Sequence, residues 1–397
     1  DEARVRRAVG MSYLLCVAVA VVVTAVAVPL TAPLLRLMQT PSAYYDYAYW
    51  YLLIIFCGIG ATVFYNIVAG LLRAVGDSRT PLYFLVAAAV LNVGLDFAFI
   101  MGCGWHYCGA ALATVLSQLL SGGACLAYAL YRYPVLRPVR SDFGWDTRLA
   151  MGHFAVGLPM ALQFSITAIG CIVQQTALNG LDAALPGAVT AYTAASKIDN
   201  IANQVFVALG TALATYAGQN YGAGEFGRIR RGVLAGMVYV FAGSVIGFAF
   251  AVGLCEPLMK LFLNTDLSAD VAGNYGAIIG YGRQFLLWQC SFYPFLGAIY
   301  VYRNTLQGIG RSAVTTFAGV TELAGRVLAS LVFVRVWGFT GVCSSNPVAW
   351  VAAVIFLVAT YAVVMRRRNN GELPRARTRA HRRRLRRSCR IAVRRAS

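Results

Sequence analysis

Most of the chain is occupied by continuous apolar blocks of roughly 20 to 30 residues, long enough to cross a hydrocarbon core about 30 Å thick. Because no water is available there, backbone polar groups must pair within the protein, which permits only helices or a closed barrel. The blocks are continuous rather than alternating in polarity, which favours helices over strands. Only 12% of the residues are charged, about half the share in soluble domains. The sequence therefore predicts an all-α polytopic membrane protein.

Ten spans follow from the apolar blocks, and the basic residues between them alternate from loop to loop. Loops rich in Arg face the cytoplasm by the positive-inside rule. The alternation predicts a multi-pass protein of the cell membrane with both termini in the cytoplasm. In this scheme Arg303 lies near the cytoplasmic end of the eighth span. The predicted spans are 10–35, 46–72, 81–101, 109–131, 151–179, 187–217, 233–263, 275–305, 313–337 and 344–365.

The chain contains an internal repeat. The segment Arg4–Val9 (RVRRAV) resembles Arg228–Val233 (RIRRGV), and Leu71–Ser78 (LLRAVGDS) resembles Thr305–Ser312 (TLQGIGRS), the second pair at an offset of 234 residues. Two homologous halves are a common plan among transporters. Chance similarity between apolar segments is the alternative, although loops match as well as helices.

The repeat predicts two pseudo-symmetric helical lobes and a tail. The expected divisions are an N-terminal lobe of four helices at 1–140, a C-terminal lobe of six at 141–366, and a basic disordered cytoplasmic tail at 367–397. Two spans of the C-terminal lobe have no counterpart ahead of residue 1. We therefore expect ten of twelve helices, with the first two missing; a native ten-helix protein is the alternative.

Several motifs resemble one transporter family. They are Gly70–Pro81 (GLLRAVGDSRTP), Gly157–Gln163 (GLPMALQ), Gly218–Gly224 (GQNYGAG) and Thr305–Ser312. Their order and spacing resemble those of the multidrug and toxic compound extrusion (MATE) family, in its bacterial NorM-like and DinF-like branches. The resemblance implies two six-helix lobes, a central cavity that opens to alternate sides, and export of organic compounds, often cationic drugs or toxins, against H⁺ or Na⁺.

Charged residues inside apolar spans are costly and are candidates for function. Asp96 is the strongest, since it could take up a proton or a sodium ion, and Asn92 lies four residues earlier on the same helix face. By resemblance, the family's cation site maps to Asn66, Asn92, Asp96 and Thr114. The family site also uses an acidic residue on its first helix, which this chain lacks. The alternative is that Asn92 and Asp96 only join helices by hydrogen bonds.

Two further sets of residues are candidates for the wall of a substrate cavity. One shares a face of the span 151–179, and the other belongs to an aromatic stripe in the span 275–305 that would suit flat cationic substrates. Packing between helices is the alternative for the first set, and packing between helices or contact with lipid is the alternative for the stripe. The two sets are Gln163, Thr167 and Gln174, and Trp288, Phe292 and Tyr302.

Four other charged residues inside spans are predicted to form structural ion pairs. Glu322 and Arg326 are four residues apart and can pair with each other on one helix. Lys197 and Asp199 are only two apart, so they face different directions, and Lys197 is expected to pair with a residue of another helix.

The remaining features argue against an enzyme. No GxxxxGK[ST] segment for nucleotide phosphates is present, and the His and Cys residues have no metal-ligand spacing. We expect no cofactor and no metal apart from H⁺ or Na⁺ as the coupling ion. The expected partners are small-molecule drugs or toxins and, for the tail with its 13 Arg, membrane lipid rather than nucleic acid. The protein is expected to be a monomer. A flippase of lipid-linked oligosaccharides and an inactive membrane fragment or scaffold remain as alternatives.

Overall fold

The computed structural model describes residues 2–37, 42–181, 184–263 and 274–369, and these ranges are almost entirely helical. The helices before residue 140 are α1 (Glu2–Leu37), α2 (Ser42–Cys57), α3 (Ile59–Ala74), α4 (Arg79–Asp96) and α5 (His106–Arg132). The later ones are α6 (Thr147–Asn179), α7 (Ala188–Gly222), α8 (Phe226–Gly253), α9 (Cys255–Phe262), α10 (Tyr275–Ser291), α11 (Tyr293–Gly308), α12 (Ser312–Leu328), α13 (Val334–Trp337) and α14 (Phe339–Asn369).

Eight helices of the described part are long and apolar enough to cross a membrane, and the number rises to ten if each of two bent pairs forms one span. The bent pairs are α2 with α3, at 41°, and α10 with α11, at 46°. Each pair corresponds to one predicted span, because the apolar run continues through the bend. The prediction of an all-α polytopic membrane protein is confirmed.

The chain divides into two compact units, Asp1–His153 and Phe154–Ser397. The division therefore falls later than the predicted boundary at residue 140. The physical reason is that the connecting segment packs back on α1. Asp142 is buried and its Oδ2 lies 3.5 Å from Arg6 Nε, while Ser12 Oγ lies 2.9 Å from His153 Nε2.

The backbone repeats the pattern that the sequence repeat predicts. Both α4 and α12 continue into a π-helical turn, at Phe97–Gly102 and Ala329–Phe333 respectively. Three backbone breaks of the first unit also recur 234 residues later in the second. Two of them are glycines with positive φ, a conformation that costs a side chain-bearing residue energy. The pairs are Gly58 and Phe292 at the helix bends, Gly76 (φ 97°) and Gly310 (φ 80°), and Gly104 (φ 69°) and Gly338 (φ 55°).

The two units differ in the extent of their buried cores. The core of the second unit is one large cluster that contains the fully buried rings of Phe206, Phe285 and Tyr293. The first unit has smaller clusters of buried residues, and the larger of these surrounds Val68 and Leu72. Much of the remaining apolar surface, such as the valines of α1, is exposed, as expected for helices that face lipid. The predicted basic tail lies outside the described residues from Asn370 onward.

Candidate functional site

A polar cavity of about 490 Å³ lies inside the second unit. Residues of α6, α7, α10, α11, α12 and α14 form its wall, so six helices contribute to one space. Several of its charged and amide side chains are at most 9% exposed, although they belong to apolar helices. Six of these side chains are Gln163, Gln174, Asp199, Arg303, Glu322 and Arg326.

The three polar residues predicted on one face of α6 all line this cavity. Hydrogen bonds hold two of them. Gln163 Oε1 accepts from Gln307 Nε2 at 3.0 Å, and Gln174 Nε2 donates to the Val342 carbonyl at 3.2 Å. The third, Thr167, offers its carbonyl oxygen to α12. These contacts join α6 to α11, α12 and α14, so the polar face of α6 both lines the cavity and holds its wall together. Contact with substrate stays a prediction.

An ion pair crosses the cavity wall between Arg303 of α11 and Glu322 of α12. This corrects the predicted pairing of Glu322 with Arg326. Arg326 instead donates from Nε to Asn346 Oδ1 at 3.1 Å and from Nη1 to the Thr167 carbonyl at 3.2 Å. The spacing of four residues permits a pair on α12, but a neighbouring helix supplies Glu322 with another cation.

Arg303 is the residue that sequence reasoning missed. Its position near the end of an apolar span placed it among the cytoplasmic basic residues, yet it is only 9% exposed. A signal was present in the sequence, because Gln307 follows four residues later and marks the same helix face as polar. Both side chains line the cavity.

Asp199 and Lys197 do not form the predicted ion pairs within the described part of the chain. Asp199 is buried, and its Oδ1 accepts a hydrogen bond from the Tyr293 hydroxyl at 2.9 Å. Lys197 is exposed, and its Nζ lies 5.4 Å from the centre of the Phe262 ring. Since residues two apart on a helix point in different directions, one side chain enters the bundle and the other leaves it.

The three predicted residues of the aromatic stripe, Trp288, Phe292 and Tyr302, do not line the cavity. The chain bends at Phe292, between α10 and α11, so the stripe is split between two helix axes. Trp288 stacks on Phe292 with ring centres 6.2 Å apart, and Tyr302 meets Tyr361 at 5.3 Å. These three predicted residues pack against the core, whereas Phe285 of the same stripe reaches the cavity.

The four residues predicted to bind a cation lie in the first unit, and hydrogen bonds do not join them. Asn66 and Thr114 are exposed and donate to carbonyls of their own helices, those of Thr62 at 2.8 Å and Ala110 at 3.0 Å. Intrahelical bonds of this kind satisfy side chains that have no neighbour in reach. That these four side chains bind one cation together stays a prediction.

Asn92 and Asp96 of α4 are half-buried. Asn92 Nδ2 and Asp96 Oδ1 are buried atoms without a hydrogen-bond partner among the described residues. Asp96 lines a hollow of about 300 Å³ with the apolar residues Val93, Phe97, Ile100 and Met101, and the other three predicted residues are not part of it. Each buried polar atom without a hydrogen bond lowers stability by about 1–3 kcal/mol. Binding of a cation or another ligand would remove this cost.

The chain is similar in sequence to known proteins. The MatE family model matches residues 1–98 and 159–329. The probable multidrug resistance protein YpnP of Bacillus subtilis is 30% identical over 280 residues, which cover 70% of this chain and 59% of the relative. YoeA of the same organism, also described as a probable multidrug resistance protein, is 24% identical over 383 residues, 93% of this chain and 79% of the relative.

A solved structure shares the fold. A MOP superfamily transporter from Pyrococcus furiosus superposes with a TM-score of 0.78 at 19% identity, over 94% of this chain and 86% of that one. The chain thus matches most of a transporter structure, while it spans 59% of the length of YpnP.

Proposed function

Because the chain belongs to the multidrug and toxic compound extrusion (MATE) family, we propose that it is a secondary transporter that exports small drugs or toxins in exchange for H⁺ or Na⁺. The descriptions of YpnP and YoeA as probable multidrug resistance proteins support drug export. The abundance of apolar spans and the absence of a Walker-type phosphate loop support an ion gradient, rather than ATP, as the energy source.

The observation that carries the ion-coupling part is the carboxylate of Asp96, whose buried Oδ1 lacks a hydrogen-bond partner in the described chain. A carboxylate inside an apolar span is stabilised by an incoming proton or sodium ion. In the sodium case, oxygens of Asn92, Asn66 and Thr114 would complete a shell of hard ligands. Cation entry from outside then favours one conformation, and substrate binding favours the other.

The membrane potential adds to the driving force by about 2.3 kcal/mol per charge per 100 mV. For the inward cation gradient to drive export, the external cation must have access to its site in only one of the two conformations. Exchange follows if bound cation and bound substrate stabilise opposite conformations, since each ligand shifts the equilibrium only by its differential affinity.

Dye efflux from membrane vesicles that contain the full chain tests this proposal. We expect Asp96→Asn to abolish efflux driven by a pH or sodium gradient while insertion into the membrane stays normal. Asp46→Asn is the matched control, because Asp46 is an exposed carboxylate of α2 in the same unit. Separate pH and sodium gradients identify the ion. Normal efflux by the Asp96 variant would remove this residue from the mechanism.

The alternative of a lipid-linked oligosaccharide flippase receives less support. A flippase for phosphorylated lipids would be expected to offer a cavity with excess positive charge. The cavity of the second unit carries two arginines, Arg303 and Arg326, against two acids, Asp199 and Glu322. This balance favours ligands without a large negative charge.

The protein is a multi-pass membrane protein. We further propose that it works as a monomer in the cell membrane with both termini in the cytoplasm and with its arginine-rich tail near anionic lipid. Cys103 is exposed in a loop predicted to lie outside. A membrane-impermeant maleimide should therefore label it from outside, and this labelling should fall in a variant with Cys103 and Cys108 replaced by Ser. Unchanged external labelling would contradict the orientation.

A further inference from the structure

The cavity of the second unit contains four ionisable side chains of Asp, Glu and Arg, and two of them form an ion pair with each other. Arg303 and Glu322 form the ion pair described above. Asp199 and Arg326 make no ion pair within the described residues, although they are only 9% and 6% exposed. Both line the same cavity. One carboxyl group and one guanidinium are thus left without an ion-pair partner among the described residues, and both line one cavity.

The guanidinium of Arg326 is held firmly at one end. Its Nε donates to Asn346 of α14 and its Nη1 to the carbonyl of Thr167 on α6. Its Nη2 donates no hydrogen bond to any described residue. A guanidinium fixed in this way offers its remaining N–H groups at a defined position, which suits a carboxylate or another oxyanion.

The carboxylate of Asp199 is fixed in a comparable way. Tyr293 donates to its Oδ1, and the Tyr293 ring itself packs edge-on against Phe206 with centres 5.6 Å apart. The second carboxylate oxygen accepts no hydrogen bond from the described residues. Next to it on α7, one turn later, Asn203 lines the same cavity, and its buried Oδ1 has no hydrogen-bond partner among the described residues. Two acceptors in one wall suit an ammonium group.

We propose that this cavity binds a small zwitterion, with its oxyanion on Arg326 and its ammonium group on Asp199. A buried charge without a partner is costly, and a ligand with a single charge would compensate only one of the two residues. The cavity volume lies within the range of about 300–1,000 Å³ found for small-molecule sites. The rings of Tyr192 and Tyr300 also line the cavity and would contact an apolar spacer between the two charged groups.

The proposal goes beyond the exporter function, because binding at this cavity requires neither Asp96 nor transport. Equilibrium binding to the purified full chain in a non-ionic detergent tests it. The probes are 4-(aminomethyl)benzoate and the linear ω-amino acids from glycine to 6-aminohexanoate, which vary the distance between the charges. Benzylamine and 4-methylbenzoate are the matched probes with one charge.

At least one zwitterion should bind about tenfold or more tightly than either probe with a single charge, since only a zwitterion would pair with both charged side chains. A cavity that holds only water would bind all probes equally weakly. That outcome across the whole series would overturn the proposal.

Variants separate the two ends of the ligand. Asp199→Asn should reduce zwitterion binding about tenfold and leave 4-methylbenzoate binding unchanged or stronger. Arg326→Gln should weaken both the zwitterion and 4-methylbenzoate but not benzylamine, and Arg326→Lys should recover part of the loss. A purely structural role of Arg326 would instead weaken all probes together.

Matched controls remove a charge elsewhere in the same unit. Lys197→Gln lies two residues from Asp199 but outside the cavity, and Arg335→Gln removes an exposed arginine of α13. Neither should change binding of any probe. Thermal unfolding of each variant shows whether the fold is intact, and a charge-specific pattern in a folded variant cannot arise from misfolding. Equal losses in the control and cavity variants would contradict the proposal.

Discussion

The helix that follows the glycine turn occurs twice in this chain, as α4 in the first unit and as α12 in the second. Asn92 of α4 corresponds to Arg326 of α12 at the offset of 234 residues. On α4, Asn92 and Asp96 have buried polar atoms without a partner among the described residues, whereas on α12 Arg326 and Glu322 bond to α6, α11 and α14. The same backbone arrangement thus carries polar side chains with and without partners, because their hydrogen bonds depend on the side chains of the neighbouring helices.

The largest test of this contrast is Glu322→Gln, which leaves the Arg303 charge buried without its partner. We expect the free energy of unfolding to fall by about 3–5 kcal/mol. Asp96→Asn should cost little, since Asp96 Oδ1 has no hydrogen-bond partner among the described residues. Denaturant unfolding in mixed micelles measures both.

The exposed pair Glu256 and Lys260, 3.1 Å apart, provides the control for the loss of an ion pair. Glu256→Gln should leave the unfolding midpoint unchanged, because exposed ion pairs contribute little. If Glu322→Gln is as stable as the parent chain, the second unit does not depend on its polar network.

Close helix packing gives the next largest effect. A Cβ at Gly308 of α11 would lie 2.3 Å from the Ala214 carbonyl oxygen of α7, a backbone atom that cannot turn away. Gly308→Ala should therefore cost about 1–3 kcal/mol. In the first unit, a Cβ at Gly70 of α3 meets nothing within 4 Å, and Gly70→Ala should stabilise by up to about 1 kcal/mol. Thermal unfolding of the two variants should give opposite shifts.

The turns between the paired helices differ in charge, with Asp77 in the first unit and Arg311 at the corresponding place in the second. Burial raises the pKa of Asp77, but hydrogen bonds from the Thr80 hydroxyl and amide and from the Tyr133 hydroxyl outweigh it and hold this pKa below its usual value.

A folded-state pKa below the unfolded value of about 3.9 stabilises the protein at neutral pH. This stabilisation is lost as the pH falls from about 4 through the folded pKa. Asp77→Ala should cost about 1 kcal/mol at pH 7 and flatten the pH dependence of unfolding below pH 4. Arg311→Ala should leave that dependence unchanged. An equal slope in the Asp77 variant and the parent would show that other carboxylates cause it.

The smallest effect on stability is expected for Asn66→Ala and Thr114→Val. Both side chains are exposed and bond only to their own helices, so each change should stay within about 0.5 kcal/mol. Under the proposed coupling mechanism, the same variants should still weaken sodium-driven efflux. Large destabilisation would show that these residues hold the first unit together.

Much of the architecture could be predicted from the sequence. The apolar blocks predicted ten spans, and matching segments such as Leu71–Ser78 and Thr305–Ser312 predicted a repeat that the backbone breaks follow. The polar face of α6 was also found, because Gln163, Thr167 and Gln174 recur at helical spacing and lie on one side. These features are local, since they depend on residues within a few turns of each other.

The predictions were wrong where the partner of a side chain lies on another helix. Glu322 has Arg326 within reach on its own helix, but Arg303 of α11 is its partner in the structure. The aromatic stripe looked continuous until the bend at Phe292 divided it. The spacing of residues along one helix does not show which residues of other helices lie opposite them. The residues of the cavity wall could therefore not be predicted together from the sequence.

By itself the sequence determined the membrane environment, the helical class and the internal repeat, because apolar length and helical pairing of the backbone are properties of each segment alone. Only the tertiary structure decided that Arg303 pairs with Glu322 and that Asp199 and Arg326 line the same cavity. The reason is physical: a buried charge takes its partner from whatever the packing of distant segments brings within a few ångströms.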